Sequence, residues 1–357
     1  MSMTKASSSG LDGVVVAHTM ISHVDGERGQ LVIAGADVEQ LARTTSYEDA
    51  VSRVLGAAGG AAISPRELGD ARTAAWELAA RTGDALALAD GMDALRAALA
   101  HIGSTGDDRA DALAAIGAAP VFAAAWSRQR RGLAPVPPAP ALGHAADYLR
   151  MTIGAPGSAA AVRALEAYLV TVIDHGMSAS TFTARVIAST ASDLISSIVG
   201  AVGALKGPLH GGAPGPVLDM LDAIREPAGA EAWLLGELAA GRRIMGMGHR
   251  VYRVRDPRAA VLEVAVKPLA SPRLELARAV EAAAAKILRE RKPDRSLAAN
   301  VEFYTAILLD AVGLPREQFS PTFVVGRVAG WSAHVLEQRA VGKLIRPQST
   351  YVGAMPA

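Results

Sequence analysis

The 357-residue chain contains no cysteine, which excludes disulfide scaffolds, thiol nucleophiles, Fe–S clusters and cysteine-ligated zinc. Aromatic residues make up only 4% of it. An excess of either charge is also missing: 36 Lys and Arg against 35 Asp and Glu leave a formal charge of +1. No whole-molecule field therefore draws in nucleic acid or an anionic membrane, and any basic function must be local. Long apolar runs are scarce. The most lipid-like stretch, 110–126, is diluted by Ala and Gly and interrupted by Pro120, so it falls short of a spanning helix. The first eleven residues are small and polar, with neither the apolar core of a signal peptide nor the arginine-rich face of a transit peptide. The expected location is cytoplasmic, with no membrane or nucleic-acid partner.

Half of the residues are hydrophobic, which excludes the disordered class. Much of that share is Ala, a composition suited to helices packed at short distance. The expectation is a mainly α-helical protein, with roughly two domains at about 150 residues each. Short β-prone runs at 13–20 and 30–33 flank a turn at 24–29 and predict at most a small N-terminal hairpin. Ser64-Pro65-Arg66-Glu67 reads as a capping box with proline at the first helical position, opening a helix to about residue 81. Further helices are expected at 84–102, 107–126, 143–152 and 158–174. A small-residue helix buried on most faces should fill 179–205. Beyond it the pattern is helical at 216–224, 230–240, 257–270, 273–291, 298–312 and 321–339.

Three of the eight histidines stand in glycine-rich or acidic punctuation: His175 in Asp-His-Gly, His210 in Pro-Leu-His-Gly-Gly, and His249 in Met-Gly-Met-Gly-His-Arg. Glycine beside histidine lets the backbone approach a ligand closely; each histidine alone could equally cap a helix or satisfy a buried carbonyl. His18, His23, His101, His144 and His334 have no such setting and read as structural or surface residues. No histidine pair has the i, i+4 spacing of a helical metal site, and Gly246-Met-Gly248 is neither a dinucleotide fingerprint nor a P-loop. Arg250, Arg253, Arg255 and Arg258 crowd into ten residues. Such a cluster is either an anion site or a solvated basic loop paired with Asp256. Arg327 lies in an otherwise apolar helix and needs an anionic partner, from the protein or from a substrate.

These segments occur in an order that resembles the citrate synthase family. Gly207-Pro-Leu-His210-Gly-Gly, Met245-Gly-Met-Gly-His249-Arg-Val-Tyr with Asp256-Pro-Arg258, and Asn300-Val-Glu302-Phe-Tyr look like its three catalytic segments. Arg327 in Val-Gly-Arg-Val-Ala-Gly-Trp and Arg346 in Leu-Ile-Arg-Pro resemble its late segments. Asp174-His175-Gly-Met-Ser-Ala-Ser-Thr and the opening Gly10-Leu-Asp-Gly-Val extend the likeness over nearly the whole chain.

The resemblance implies a two-domain helical fold, with a large discontinuous domain at 1–210 and 319–357 and a small domain at 211–318 closing over the site. It implies condensation of acetyl-CoA with oxaloacetate, followed by hydrolysis of citryl-CoA, as in the tricarboxylic acid cycle. Glu302 would be the base, His210 the donor to the thioester oxygen and His249 the donor to the ketone. His175, Arg258, Arg327 and Arg346 would hold oxaloacetate, and Arg243, Ile244, Met245, Gly246 and Met247 would lie against CoA. The basic run 286–295 reads either as a further CoA contact or as a solvated helix end. No metal and no permanently bound cofactor is implied. A homodimer is, with Arg346 reaching the neighbouring subunit's site, and without the N-terminal domain that carries NADH control in longer members.

Several positions depart from the family pattern. Glu302 stands where Asp is usual, Ile33-Ala34-Gly35 where Tyr-Arg-Gly is, Ser178 and Pro214 where Asn is, and 55–64 lacks a Gly-x-Leu-Pro pattern. The rival readings are a 2-methylcitrate synthase using propionyl-CoA, since a pocket discriminates one carbon by only about 1–3 kcal/mol, and a non-catalytic member that binds a di- or tricarboxylate.

Overall fold

The computed structural model describes residues 11, 13–210, 214–292 and 297–356. Gly10 and Asp12 of the opening motif, Gly211 and Gly212 after His210, and 293–295 of the basic run lie outside them. The chain enters the fold through a three-stranded antiparallel sheet of order β1-β2-β3: β1 Ser22–Asp25, β2 Gln30–Ile33 and β3 Ala36–Asp37. The expected strand at 13–20 does not form. Val14 and Val15 there are exposed and join no strand ladder, the Val14 amide donating only to the local Leu11 carbonyl, and an extended run without a ladder leaves most of its backbone to water. The strand lies further on, with Asp25 opposite Gln30.

Everything else in regular structure is helical. Two short helices, α1 Val38–Thr44 and α2 Tyr47–Ala57, go beyond the expected set, each started by a side-chain cap from Asp37 or Ser46. The capping box opens α3 Pro65–Ala79 as expected. The 84–102 pattern resolves into a single 3-10 turn and α4 Gly91–Leu99, because Asp90 accepts from the Met92 and Asp93 amides and restarts the helix. Helix α5 Asp108–Arg130 runs straight past Pro120, and α6 His144–Ile153 and α7 Ala159–Thr171 follow.

The single helix expected at 179–205 is two, α8 Ala179–Ala188 and α9 Leu194–Leu205. Ala191 between them takes a left-handed φ of 64°, and the Asp193 carboxylate caps α9 by accepting from the Ser196 amide. The remainder are α10 Pro214–Ile224, α11 Ala230–Ala239, α12 Pro257–Val266, α13 Arg273–Arg291, α14 Val301–Ala311 and α15 Phe319–Val341.

Two 23-residue helices, α5 and α15, form the centre. Helices α3, α4, α6 and α9 pack on α5, and α2, α7, α8 and α9 pack on α15, which also crosses α5. By length and composition α5 could cross a membrane, but here it is buried among these neighbours. Small residues set the spacing: a Cβ on Gly117 of α5 would sit 2.6 Å from Ala71 of α3. That is the structural use of an alanine-rich, aromatic-poor composition. Helices α10 to α14 contact mainly one another, with α12 also meeting α1 and α7.

The turn joining β2 to β3 has two residues, Ala34 and Gly35, with φ of 44° and 80°. Both central residues are left-handed, the geometry in which Asn-Gly is favoured. Ala34→Asn is expected to raise stability by about 0.5–1 kcal/mol, read as a higher urea midpoint at unchanged slope; a lower midpoint would contradict this account of the turn.

Candidate functional site

The site is assembled where α15 presses on the turn after α7. A Cβ on Gly330 would lie 2.1 Å from the Ile173 carbonyl oxygen, and one on Gly326 would lie 2.5 Å from Val172 Cγ2. Glycine at both points lets α15 deliver Arg327 and His334 directly onto 172–174, with Trp331 reaching Ser180. Arg327 Nε donates to the Val172 carbonyl at 2.5 Å. His334 lies 3.1 Å from Asp174 Oδ1 through its Nε2, while Arg185 Nη1 lies 2.8 Å from its Nδ1. Arginine can only donate, so Nδ1 accepts and Nε2–H is given to Asp174. Asp174 Oδ2 takes the Gly176 amide and the Ser22 hydroxyl. Burial opposes ionisation of Asp174, but His334 and Arg327 outweigh it and hold the carboxyl below its usual range.

The second part is the loop from Gly246 to Asp256. Gly246 has φ 73° and packs against Phe303, where a Cβ would come within 2.9 Å; Gly248 has φ 86°. These turns let the loop run beside the segment leading into α14. Met247 bridges Ala299, Gly246 O accepts from the Asn300 amide, and Asn300 Nδ2 donates to Gly248 O. The N-terminal hairpin braces the loop from outside, with Gly26 O accepting from the Arg253 amide at 2.8 Å.

Asp256 is the centre of this part. Its Oδ1 accepts from the Arg258 amide and Nε, both at 3.0 Å, and its Oδ2 from Arg258 Nη2 at 2.7 Å and from the Val301 amide at 3.1 Å. The arginine cluster therefore divides. Arg250 and Arg253 are solvated, Arg255 pairs with Glu263 and Glu281, and Arg258 alone is buried, paired with Asp256.

Three rings meet at this point. His249 and Tyr252 have centroids 4.7 Å apart, His175 and His249 5.4 Å, and His175 and Tyr252 5.5 Å. His249 Nδ1 accepts from the Val251 and Tyr252 amides at 3.0 and 3.1 Å. A neutral His249 thus carries its proton on Nε2, and that N–H sits 3.3 Å from the guanidinium Nη2 of Arg258. Two donors side by side call for a shared acceptor oxygen. His210 shows the complementary arrangement. Its Nε2 accepts from the Ser180 amide at 3.2 Å and lies 2.8 Å from the Ser180 hydroxyl, which itself accepts from Trp331 Nε1. The His210 proton is therefore on Nδ1.

Burial, reinforced by neighbouring arginines, keeps all three histidines neutral. His249 is lowered to about 4 by burial and Arg258, His210 to about 4 by burial and Arg327, and His175 falls well below its usual value by burial and Arg258. Glu302, capped into α14 by Asn300, is pushed up to about 7 by burial, with Asp256 adding to it and Arg258 and Arg327 opposing. Its Oε2 and the Arg327 Nη2 are buried with no hydrogen-bond partner among the described residues. Arg327 is drawn down to about 10 by burial; Asp174 favours its charge without bonding to it. The site is thus poor in paired negative charge and rich in aimed donors.

His175, His210, His249, Glu302 and Arg327 each lie within electrostatic reach of Arg258. Arg346 does not join them. It is exposed in the C-terminal segment, which is tied back where the Ile345 amide donates to Ser189 Oγ. In the segment expected to meet CoA, Arg243 is exposed, Ile244 and Gly246 are buried, and Met245 and Met247 are partly buried. Among the described residues no group of three His, Asp or Glu side chains is placed to hold a metal.

Residues 10–348 match the family model described as citrate synthase, C-terminal domain. The chain belongs to the citrate synthase family. Members of this family are acyltransferases that use an acyl-CoA and oxaloacetate. A Mycobacterium tuberculosis protein provisionally named citrate synthase 2 is 39% identical over 97% of this chain and 93% of its own length. The 2-methylcitrate synthase of the same organism is 35% identical over 96% and 90%. The citrate synthase of Thermoplasma acidophilum, solved as a ternary complex with carboxymethyl coenzyme A and oxaloacetate, superposes with a TM-score of 0.87 at 26% identity, covering 99% of this chain and 98% of that one.

Several residues that shape this citrate synthase-like site were given no role there by sequence, apart from Asp256 as a partner for the arginine cluster. Asp256 before Pro257, and Asn300 two residues before Glu302, carry the signature of helix N-caps. Ser180, Trp331, Asp174 and His334 carry no local signal; they matter only because α8, α15 and the turn after α7 converge. His144, expected to be structural, is buried beside Arg72, and Ser178, in place of the family's Asn, still caps α8.

The contact at Gly330 leaves no space for a methyl group. Gly330→Ala is expected to cost about 1–3 kcal/mol of stability and to lower the urea midpoint; an unchanged midpoint would show that α15 can move off the turn freely.

Proposed function

We propose that this protein is a citrate synthase, condensing acetyl-CoA with oxaloacetate and hydrolysing the citryl thioester to citrate and CoA. The observation that carries the reading is Glu302: a buried carboxylate with an unpartnered oxygen, raised to about 7, which shares the influence of Arg258 with neutral histidines whose protons are fixed by the backbone and by Ser180. A weakly acidic methyl group loses a proton at neutral pH only if a base takes it while the thioester oxygen receives a hydrogen bond. Glu302 takes the proton and His210 Nδ1–H donates to the thioester oxygen. The resulting enol carbon attacks the oxaloacetate ketone, whose oxygen accepts from His249 Nε2–H. Water then cleaves the citryl thioester and the CoA thiol leaves.

Arg258, Arg327 and His175 hold the oxaloacetate carboxylates, which supply the acceptors that the aimed donors lack. Residues 243–247 lie along CoA, and residues 211–318 close as a small domain over the large one, excluding water once oxaloacetate is bound. Arg346, exposed and distant from the cluster in its own subunit, completes the site of a partner subunit in a homodimer. A 2-methylcitrate synthase is the second reading, supported by the 35% identity to the Mycobacterium tuberculosis enzyme of that name.

Release of free thiol from acetyl-CoA and propionyl-CoA, with and without oxaloacetate, tests both readings, and a cysteine-free protein adds no background. Oxaloacetate-dependent release from neither thioester would refute the enzyme reading, and the ratio of the two rates assigns the substrate. Glu302→Gln should lower turnover by at least a hundredfold, in line with loss of a positioned base, while oxaloacetate binding measured by calorimetry persists.

The base works ionised, so kcat/KM should climb with pH through about 7, with no limb from His210 or His249 until about 4. The same raised value works against the fold. Ionising Glu302 costs nothing below its unfolded value of about 4.5 and its full amount above about 7. Glu302→Gln should therefore be increasingly more stable than the parent as pH rises from 5 towards about 7, with a level difference by pH 8. A constant difference across that range would contradict the burial argument.

A further inference from the structure

We propose that Tyr252 is a positioning residue for the oxaloacetate half-site, its hydroxyl fixing His175 in the tautomer that presents Nδ1–H to the substrate. The proposal rests on His175 being a substrate ligand, as read above. Tyr252 Oη lies 3.1 Å from His175 Nε2, and no other partner of this hydroxyl is recorded among the described residues. The side chain is 1% exposed, so its one O–H proton needs an acceptor, and the ring nitrogen is the acceptor within reach. Burial pushes the phenol far up, so it keeps that proton.

His175 is neutral, because burial and the charges of Arg258, His249 and Arg327 all oppose its protonation. A neutral imidazole that accepts at Nε2 carries its hydrogen on Nδ1, where no protein partner is recorded among the described residues. His175 is only partly buried, which leaves that N–H available to a ligand.

Tyr252 is itself held from several directions. Its amide donates to His249 Nδ1 at 3.1 Å, its ring packs 4.7 Å from the His249 ring, and the Arg258 guanidinium lies 5.8 Å from its ring centroid. One residue therefore helps set the tautomer of His249 through its backbone, together with the Val251 amide, and sets that of His175 through its hydroxyl. A dicarboxylate with a ketone between its acid groups needs N–H donors at several oxygens at once. Histidine can supply them as a neutral donor only when its proton is on the correct nitrogen.

Tyr252→Phe keeps the ring, its packing and the amide bond, and removes only the hydroxyl. In imidazole 15N spectra of the substrate-free protein, the parent His175 should show a protonated Nδ1, and Tyr252→Phe should move it toward the Nε2–H form. In kinetics, the oxaloacetate KM should rise about tenfold, as expected for one lost hydrogen bond to a ligand-holding group. The acyl-CoA KM and kcat should change by less than about twofold, with the melting temperature close to that of the parent. In a His175→Ala background, Tyr252→Phe should add nothing further.

A His175 that is Nε2-protonated in the parent, or whose spectrum is unmoved by Tyr252→Phe, would overturn the proposal. So would an equal kinetic penalty in the His175→Ala background. If the parent releases no thiol with oxaloacetate, it is the enzyme reading that fails; the spectra still decide whether Tyr252 sets the tautomer.

Discussion

The Asp256 carboxylate holds together two things that must not drift apart. It neutralises the buried Arg258 and accepts from the Val301 amide at the start of α14, the helix that presents Glu302 one residue later. Burying a carboxylate and a guanidinium is costly unless their lone pairs and N–H groups are filled, and here both Asp256 oxygens are. The reward is geometric: a buried arginine and a prospective base are locked to each other through one rigid side chain. The histidine loop is then stitched to the same segment by the Met247–Ala299 bridge and by Asn300.

Around that lock the charges are unequally matched. Arg258 is paired, whereas Arg327 has a backbone carbonyl on Nε and an unpartnered Nη2. Glu302 is an unpaired carboxylate in the same low-dielectric region. Buried polar atoms without partners are rare in folded proteins and concentrate where a ligand is handled. The histidines are kept neutral by their surroundings and keep their protons where neighbouring donors dictate. Such preorganised N–H groups stabilise developing negative charge on oxygen without reorganising during the reaction.

Much of the fold was legible in the sequence. Helix starts were readable because a cap is a local device: Ser64 with Glu67 acts within three residues. The errors came where a non-local partner or a backbone special intervened. The 13–20 run had strand-forming residues but no strand to pair with. The 179–205 run looked continuous because nothing in Ala191 announces a left-handed φ. Helix α5 does run through Pro120, as the 107–126 pattern anticipates, because burial on all sides lets packing outweigh one missing amide.

The sequence by itself determined the mainly helical class, the order of the motifs and the chemical types at the site, because each depends on residue identity and short-range spacing. It also determined which arginines stood near which histidines along the chain. Tertiary structure alone decided which of them are buried, which are paired and which nitrogen of each histidine holds the proton. Some of those properties depend on groups more than a hundred residues apart, as when α15 brings Arg327 to Val172 and His334 to Asp174, while the Arg258–Asp256 pair and the His249 tautomer use neighbours two or three residues away that only the folded loop brings into register. A guanidinium or a carboxylate takes its role from solvation as well as from neighbours, and solvation is not written in its own segment of the chain.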